Sequence, residues 1–172
     1  MLLNRDVRHI QKIDMNTIDK ISILRILNKG KLAYIATTNG KFVDNAIVCY
    51  ANNDLKIYFG CYSDTLKGKN IARIPYVALA ISTLQIHGKA RIIEYKSKEY
   101  RMKLKYYKER HPQYVNVFHK MNNELYEVEP LVVWSYNPKK GEMNRDVYIL
   151  DQNYYNKLKP YEAKASYEYK IL

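Results

Sequence analysis

LKIYFGCYSDTLKGKNIARIPYVALAISTLQIHGKA, residues 55–90, is the stretch around which the rest of the chain is organised. It reads as an apolar strand, a polar loop that opens a short basic helix, and an entry at Pro75 into a β-hairpin whose second strand is interrupted at Gly88. The loop carries the chemistry. Tyr62, Ser63, Asp64 and Thr65 place hydroxyls and an N-cap where the first backbone N–H groups of a helix lack partners, and Lys67 and Lys69 follow in its first turns. A helix start of this composition suits an anion, because its N–H groups and its dipole both favour negative charge. The same residues also serve a plain cap with solvated lysines.

Upstream, Asn39-Gly40 separates two β-rich runs, residues 32–38 and 42–50, and both residues tolerate the positive φ of a type I′ hairpin turn. Residues 51–54, ANND, make a second polar turn before a strand at 55–59. Earlier still, Ile18, Ile21, Leu24 and Leu27 recur at helical spacing and Ile23 and Ile26 widen the stripe. Asn16 or Thr17 caps that helix, and Gly30 stands where a left-handed C-cap is wanted. Residues 1–15 have no clear period and read as an extended arm or a frayed helix.

Downstream, residues 76–82 read as a strand buried on both sides, and 84–95 as a long strand that bends at Gly88. Residues 96–110, KSKEYRMKLKYYKER, are helical and basic, with Tyr100, Leu104 and Tyr107 inward and Pro112 as the stop. A short helix over 113–121, a strand pair or one kinked strand over 126–136 around Pro130, a turn at 137–141 and a last strand at 146–150 follow. The Tyr- and Lys-rich tail, 151–172, suits a surface helix or an arm reaching across a partner subunit. Antiparallel strands joined by hairpins and bent once predict a mainly β chain with flanking helices, closed as a barrel. Residues 1–172 form one domain whose core spans about 17–150.

Composition narrows the function. At 172 residues with 47% hydrophobic and 27% charged side chains, the chain has enough material for one proper core. Its net charge of +12 favours an acidic partner. The basic residues are spread along the whole length, however, and accompany an abundance of Lys, Asn, Ile and Tyr, which argues against a dedicated nucleic-acid arm. Cys49 and Cys61 have no paired spacing, and His111 and His119 lack metal-ligand spacing, so neither a disulfide framework nor a metal site is expected. No apolar run approaches the roughly 20 residues of a membrane span, and the cytoplasm is the expected compartment. Nucleophile-elbow, Walker A and Rossmann glycine patterns are all missing from the sequence.

In that order of elements, the segments IYFGC, TLKGKNI, IPYVALAI and HGKA resemble the pyridoxamine 5′-phosphate oxidase-like flavin proteins, the FMN-binding split-barrel superfamily. The resemblance covers about residues 17–95 well and the remainder loosely, and it is nearer to the short nitroimidazole-resistance and flavin reductase-like members than to the vitamin B6 oxidases. It implies an antiparallel split β-barrel and a homodimer with FMN at the subunit interface. It further implies that Thr65 and Lys67 meet the phosphate, with Ser63 in the same loop, Gly60 and Cys61 beside the ribityl chain, and Thr83 at a polar contact to the flavin. Asn45 and Tyr50 stand on the second strand where the vitamin oxidases use basic residues. Replacing an arginine by asparagine removes charge and bidentate geometry, which leaves FAD, deazaflavin and haem open as cofactors in place of FMN.

Two further readings stay open. One is a protein of the same fold that holds flavin or haem without turnover. The other is a basic β-barrel that stacks single-stranded nucleic acid on its tyrosines. In the oxidoreductase reading the flavin carries electrons from a reduced donor to a small-molecule acceptor, and no side chain acts as a catalytic residue. His87, beside Gly88, is a candidate proton donor or an inter-strand histidine. Trp134 reads as core or, with Arg145, as a C-terminal contribution to the site. Glu127 and Glu129 read as a solvated strand face balancing nearby lysines.

Overall fold

Alternating side chains close the sheet on itself. The computed structural model describes residues 17–114, 116, 123–136 and 145–165. Helix α1 (Thr17–Lys29) leads into β1 (Leu32–Thr38), β2 (Val43–Asn53) and β3 (Lys56–Tyr62), and after the short helix α2 (Leu66–Arg73) the hairpin β4 (Tyr76–Ile81) and β5 (Leu84–Ile92) follows. Helix α3 (Lys98–Arg110), the long strand β6 (Asn123–Tyr136), β7 (Arg145–Ile149) and helix α4 (Gln152–Ala165) complete the order. All pairings are antiparallel. The strands run β3-β2-β1-β4-β5-β6, and pairing of β6 with β3 closes a six-stranded barrel.

Strand β6 makes the split. One of its edges follows β5 throughout, while the other is given first to β3 (Ile57↔Val128 to Tyr62↔Asn123) and then to β7 (Val132↔Ile149 to Tyr136↔Arg145). Pro130 lies at the handover, where a residue without an N–H loses no ladder bond on that edge. The β5–β6 register slips there, between His87 and Gly88, as the interrupted strand predicted.

Two helices close the barrel interior, which is filled by residues such as Ile35, Ile57, Phe59, Leu79 and Ile86. Ile23 and Leu27 of α1 enter from the end where β1 begins, and the Tyr50 hydroxyl donates to the Leu27 carbonyl at 2.8 Å. Ile71 of α2 enters near the other end, where the Asn70 amide donates to Thr37 Oγ1 at 3.1 Å. Outside, α3 lays Tyr100, Leu104 and Tyr107 on Ala51, Tyr58 and Leu125, the stripe that its spacing predicted.

Several local expectations change. The Asn39-Gly40 hairpin is present, but only Gly40 has positive φ (89°), and the loop has four residues. Asn39 Oδ1 accepts from the N–H groups of Lys41 and Phe42, so a side chain does the work of the type I′ turn. Gly30 does not adopt a left-handed cap. The Arg110 guanidinium donates to the carbonyls of Leu27, Asn28 and Gly30 and so satisfies the end of α1 from another element. Ile21 is exposed, and β4 alternates between buried and exposed positions instead of being covered on both faces. A 3₁₀ turn at Pro112–Tyr114 begins the expected helix over 113–121, most of which lies outside the described residues, as do residues 1–16 and the expected turn at 137–141. Residues 126–136 belong to one strand, and the start of the tail is a helix.

Candidate functional site

Strands β2 and β3 part at Tyr50 and Phe59. Beyond that pair, β2 continues from Cys49 back to Val43 beside β1 alone, while Gly60, Cys61 and Tyr62 pair only with β6. One edge of β2 therefore carries no strand partner over 43–49. Helix α2, which touches β1, β2 and β3, and the loop before it stand at this parting.

The loop is shaped from within. Thr65 caps α2: its Oγ1 accepts from the Gly68 N–H at 3.2 Å and donates to the Tyr62 carbonyl at 2.7 Å. Cys61 Sγ lies 3.1 Å from the Thr65 hydroxyl and 3.2 Å from the Tyr62 carbonyl oxygen. A β-carbon at position 68 would stand 2.7 Å from the carbonyl oxygens of Tyr62 and Ser63, so the loop folds onto the helix only over a glycine. A glycine in a helical pattern is the signal that sequence reading passed over here.

What remains unspent is a donor set. The N–H groups of Leu66 and Lys67 open the helix with no backbone acceptor among the described residues. The Ser63 side chain is exposed, and Lys67, half-buried, forms no ion pair among the described residues. Two carboxylates share this end of the barrel. Asp64 is exposed in the loop, and Glu124, opposite Cys61, accepts from the Tyr126 hydroxyl at 3.1 Å.

Of the residues singled out from the sequence, Gly60, Cys61, Ser63, Thr65 and Lys67 come together here. Cys61 is buried in the core and Thr65 is committed to its cap, so both shape the loop, whereas Ser63 is exposed and Lys67 half-buried, neither with a bonded partner among the described residues. Asn45 lies on the partnerless edge of β2, exposed and opposite Ala36. Tyr50 is not part of this surface: its ring is fully buried and its hydroxyl belongs to α1. Thr83 sits exposed in the β4–β5 turn, separated from β2 by β1 and β4, and its carbonyl accepts from the Tyr136 N–H at 3.0 Å.

The remaining candidates serve other contacts. Trp134 is buried against Val132, Val147 and Tyr155, with the His87 ring edge-on at 4.7 Å. Arg145 donates to Gln85 at 3.1 Å. His111 is buried, and its Nε2 donates to the Tyr50 carbonyl at 2.7 Å; burial first, with help from the Arg110 and Lys31 charges, pushes its pKa down against that bond. Glu127 overturns the solvated-face reading, being 2% exposed and bonded to Arg91 and Lys103, while Glu129 pairs with Lys56 at the surface. Among the described residues no group of three or more His, Cys, Asp or Glu side chains is placed to hold a metal, and no helix is long and apolar enough to cross a membrane.

No family model matches the sequence, and no curated protein matches it. Solved structures do match. A Listeria innocua protein named for pyridoxamine 5′-phosphate oxidase aligns with a TM-score of 0.55 at 18% identity, covering 66% of this chain and 94% of its own. The fold is that of the pyridoxamine 5′-phosphate oxidase-like split barrels. Two further split barrels align at a TM-score of 0.57. The heme storage protein HutZ of Vibrio cholerae is 14% identical over 64% of this chain and 88% of its own, and a FAD-binding protein of Mesorhizobium loti is 9% identical over 66% and 88%.

Proposed function

We propose that this split barrel is an FMN-binding flavoprotein that works as a homodimer, passing electrons from a reduced donor to a small-molecule acceptor. The observation that carries the reading is the unspent donor set of residues 63–67 beside the partnerless edge of β2. The groups fit a phosphate in kind: a hydroxyl, two helix N–H groups and one ammonium, all on a loop locked by Thr65 and Gly68. Bound FMN would supply the electron-transfer chemistry. The chain's own part is to hold and orient, with Ser63 and Lys67 at the phosphate and Thr65 keeping their spacing.

A second copy is argued from the outer face of β2, β1 and β4. Tyr34 and Ile47, opposite each other in register, are 53% and 58% exposed, and Leu32 and Ala80 extend the same surface. This face lies between Asn45 and Thr83, so a site using both draws them from two subunits. Tyr34→Arg with Ile47→Glu is expected to convert a dimer to a monomer in analytical ultracentrifugation and to lower FMN retention. An unchanged sedimentation coefficient would place the interface elsewhere.

Haem is the second reading, and one observation favours it: Asn45 gives the β2 edge no positive charge for a flavin phosphate, and the structurally similar HutZ is named for haem. FAD or deazaflavin in place of FMN would be told apart by the mass of the cofactor released on denaturation. The deciding experiment is an absorption spectrum of the purified protein before and after addition of FMN and removal of the excess by gel filtration. Retained flavin bands support the proposal. A Soret band, or a colourless protein that keeps no FMN, overturns it.

A further inference from the structure

A second concavity lies away from the 62–67 loop, between α4 and the outer surface of β4 and β5. It encloses about 360 Å³ and is lined by Tyr76, Lys89, Leu131, Tyr154, Lys157 and Leu158, with Asp151 and Asn153 at one end. Its wall is built. Tyr155 anchors α4 against Val132, Trp134 and Val147, the Leu131 carbonyl accepts from the N–H groups of Leu150 and Asp151 at 2.9 Å each, and Asp151 Oδ1 caps the Tyr154 N–H at 2.9 Å.

The space is held open by a ring stack. Tyr76 of β4 and Tyr154 of α4 lie 5.5 Å apart at 24°, which sets the helix off the sheet and leaves an aromatic wall above an apolar floor of Leu131 and Leu158. Lys89 and Lys157 line the cavity from opposite elements and form no ion pair among the described residues. The carboxylate there, Asp151, keeps its charge while Oδ1 accepts from the Tyr154 N–H, so the two lysines leave the lining with one net positive charge. Aromatic wall, apolar floor and two ammonium groups together define a complementary ligand.

We propose that this groove binds a small aromatic acid, its ring against Tyr76, Tyr154 and the two leucines and its carboxylate or phosphate between Lys89 and Lys157. The site shares no residue with the flavin loop and does not rest on that reading. The test is a titration of the ¹⁵N-labelled chain, followed by amide shifts, with benzoate, phenyl phosphate and the neutral benzyl alcohol. Shifts should concentrate at residues 131, 151–158, 76 and 89, and at least one anion should bind about fivefold or more tightly than the alcohol, the tighter anion naming the class. Lys89→Ala with Lys157→Ala should erase that preference, and Leu158→Trp should fill the cavity and block all three. Equal affinity for the neutral probe, shifts centred on residues 62–67, or no shifts up to about 10 mM ligand would overturn the proposal.

Discussion

The two charged regions that flank β3 use their lysines in opposite ways. On the α3 side the buried charge is paired within the protein itself. Glu127, buried under the helix, accepts from Arg91 at 2.7 and 3.0 Å and from Lys103, and Glu99 joins the same two cations. Burial opposes ionisation of Glu127, yet the bonds from Lys103 and Arg91 outweigh it and hold the carboxyl below its usual range. Bonds from Arg91 and then Lys103 hold Glu99 down to about 2. On the α2 side the Thr65 hydroxyl and Gly68 are spent on shape, and Lys67 and the first helix N–H groups have no partner among the described residues. The contrast separates a clasp from a surface with unspent donors more sharply than charge alone, because both helices are basic.

Breaking the clasp should give the largest effect. Lys103→Ala leaves Glu127 buried and half-partnered, and is expected to lower unfolding stability by about 3 kcal/mol in a urea melt while FMN affinity stays within about twofold. A melt unchanged by the substitution would mean that the pair is not formed in solution. Lys67→Ala should do the reverse, weakening FMN binding by about 10- to 100-fold through loss of a charge-assisted bond, with the melt unmoved. Gly68→Ala forces the Tyr62 and Ser63 carbonyls to move and should cost about 1–3 kcal/mol of stability together with FMN affinity, coupling the two readouts that Lys67 separates. Lys69→Ala, one exposed residue along, should change either by less than about threefold.

Acid sharpens the same comparison. Glu127 and Glu99 both have depressed pKa values, so their contribution is present above the ordinary 4.5 and is lost as pH falls toward about 2. Stability should therefore drop across that window in the native chain and drop less in Lys103→Ala, as read by thermal melts at stepped pH.

The barrel was legible because its signals are local. Period-two runs, the Asn39-Gly40 turn, Pro75, Gly88 and the Tyr100–Leu104–Tyr107 stripe each need only a few neighbouring residues to be read. The Ser-Asp-Thr-Leu-Lys segment likewise announced a helix start, which Thr65 caps. What escaped depends on distant partners. Arg110 substitutes for a glycine cap some 80 positions away in sequence, as its bond to Gly30 shows, and Glu127 meets Arg91 and Lys103 across three elements. Tyr50 followed from a family alignment, but strand parity places it inward while Asn45 faces out. The parting of β2 from β3 leaves no trace in composition either, since both strands continue in β-rich sequence past the last shared pair.

The central claim is that the loop at 62–67 holds a phosphate, and comparing FMN with riboflavin tests it most directly. Fluorescence titration of the native chain and of Lys67→Ala with both ligands isolates the phosphate from the ring. The native chain is expected to prefer FMN by about 100-fold or more, and the variant to lose most of that preference while its riboflavin affinity is unchanged. Equal binding of FMN and riboflavin by the native chain would contradict the claim.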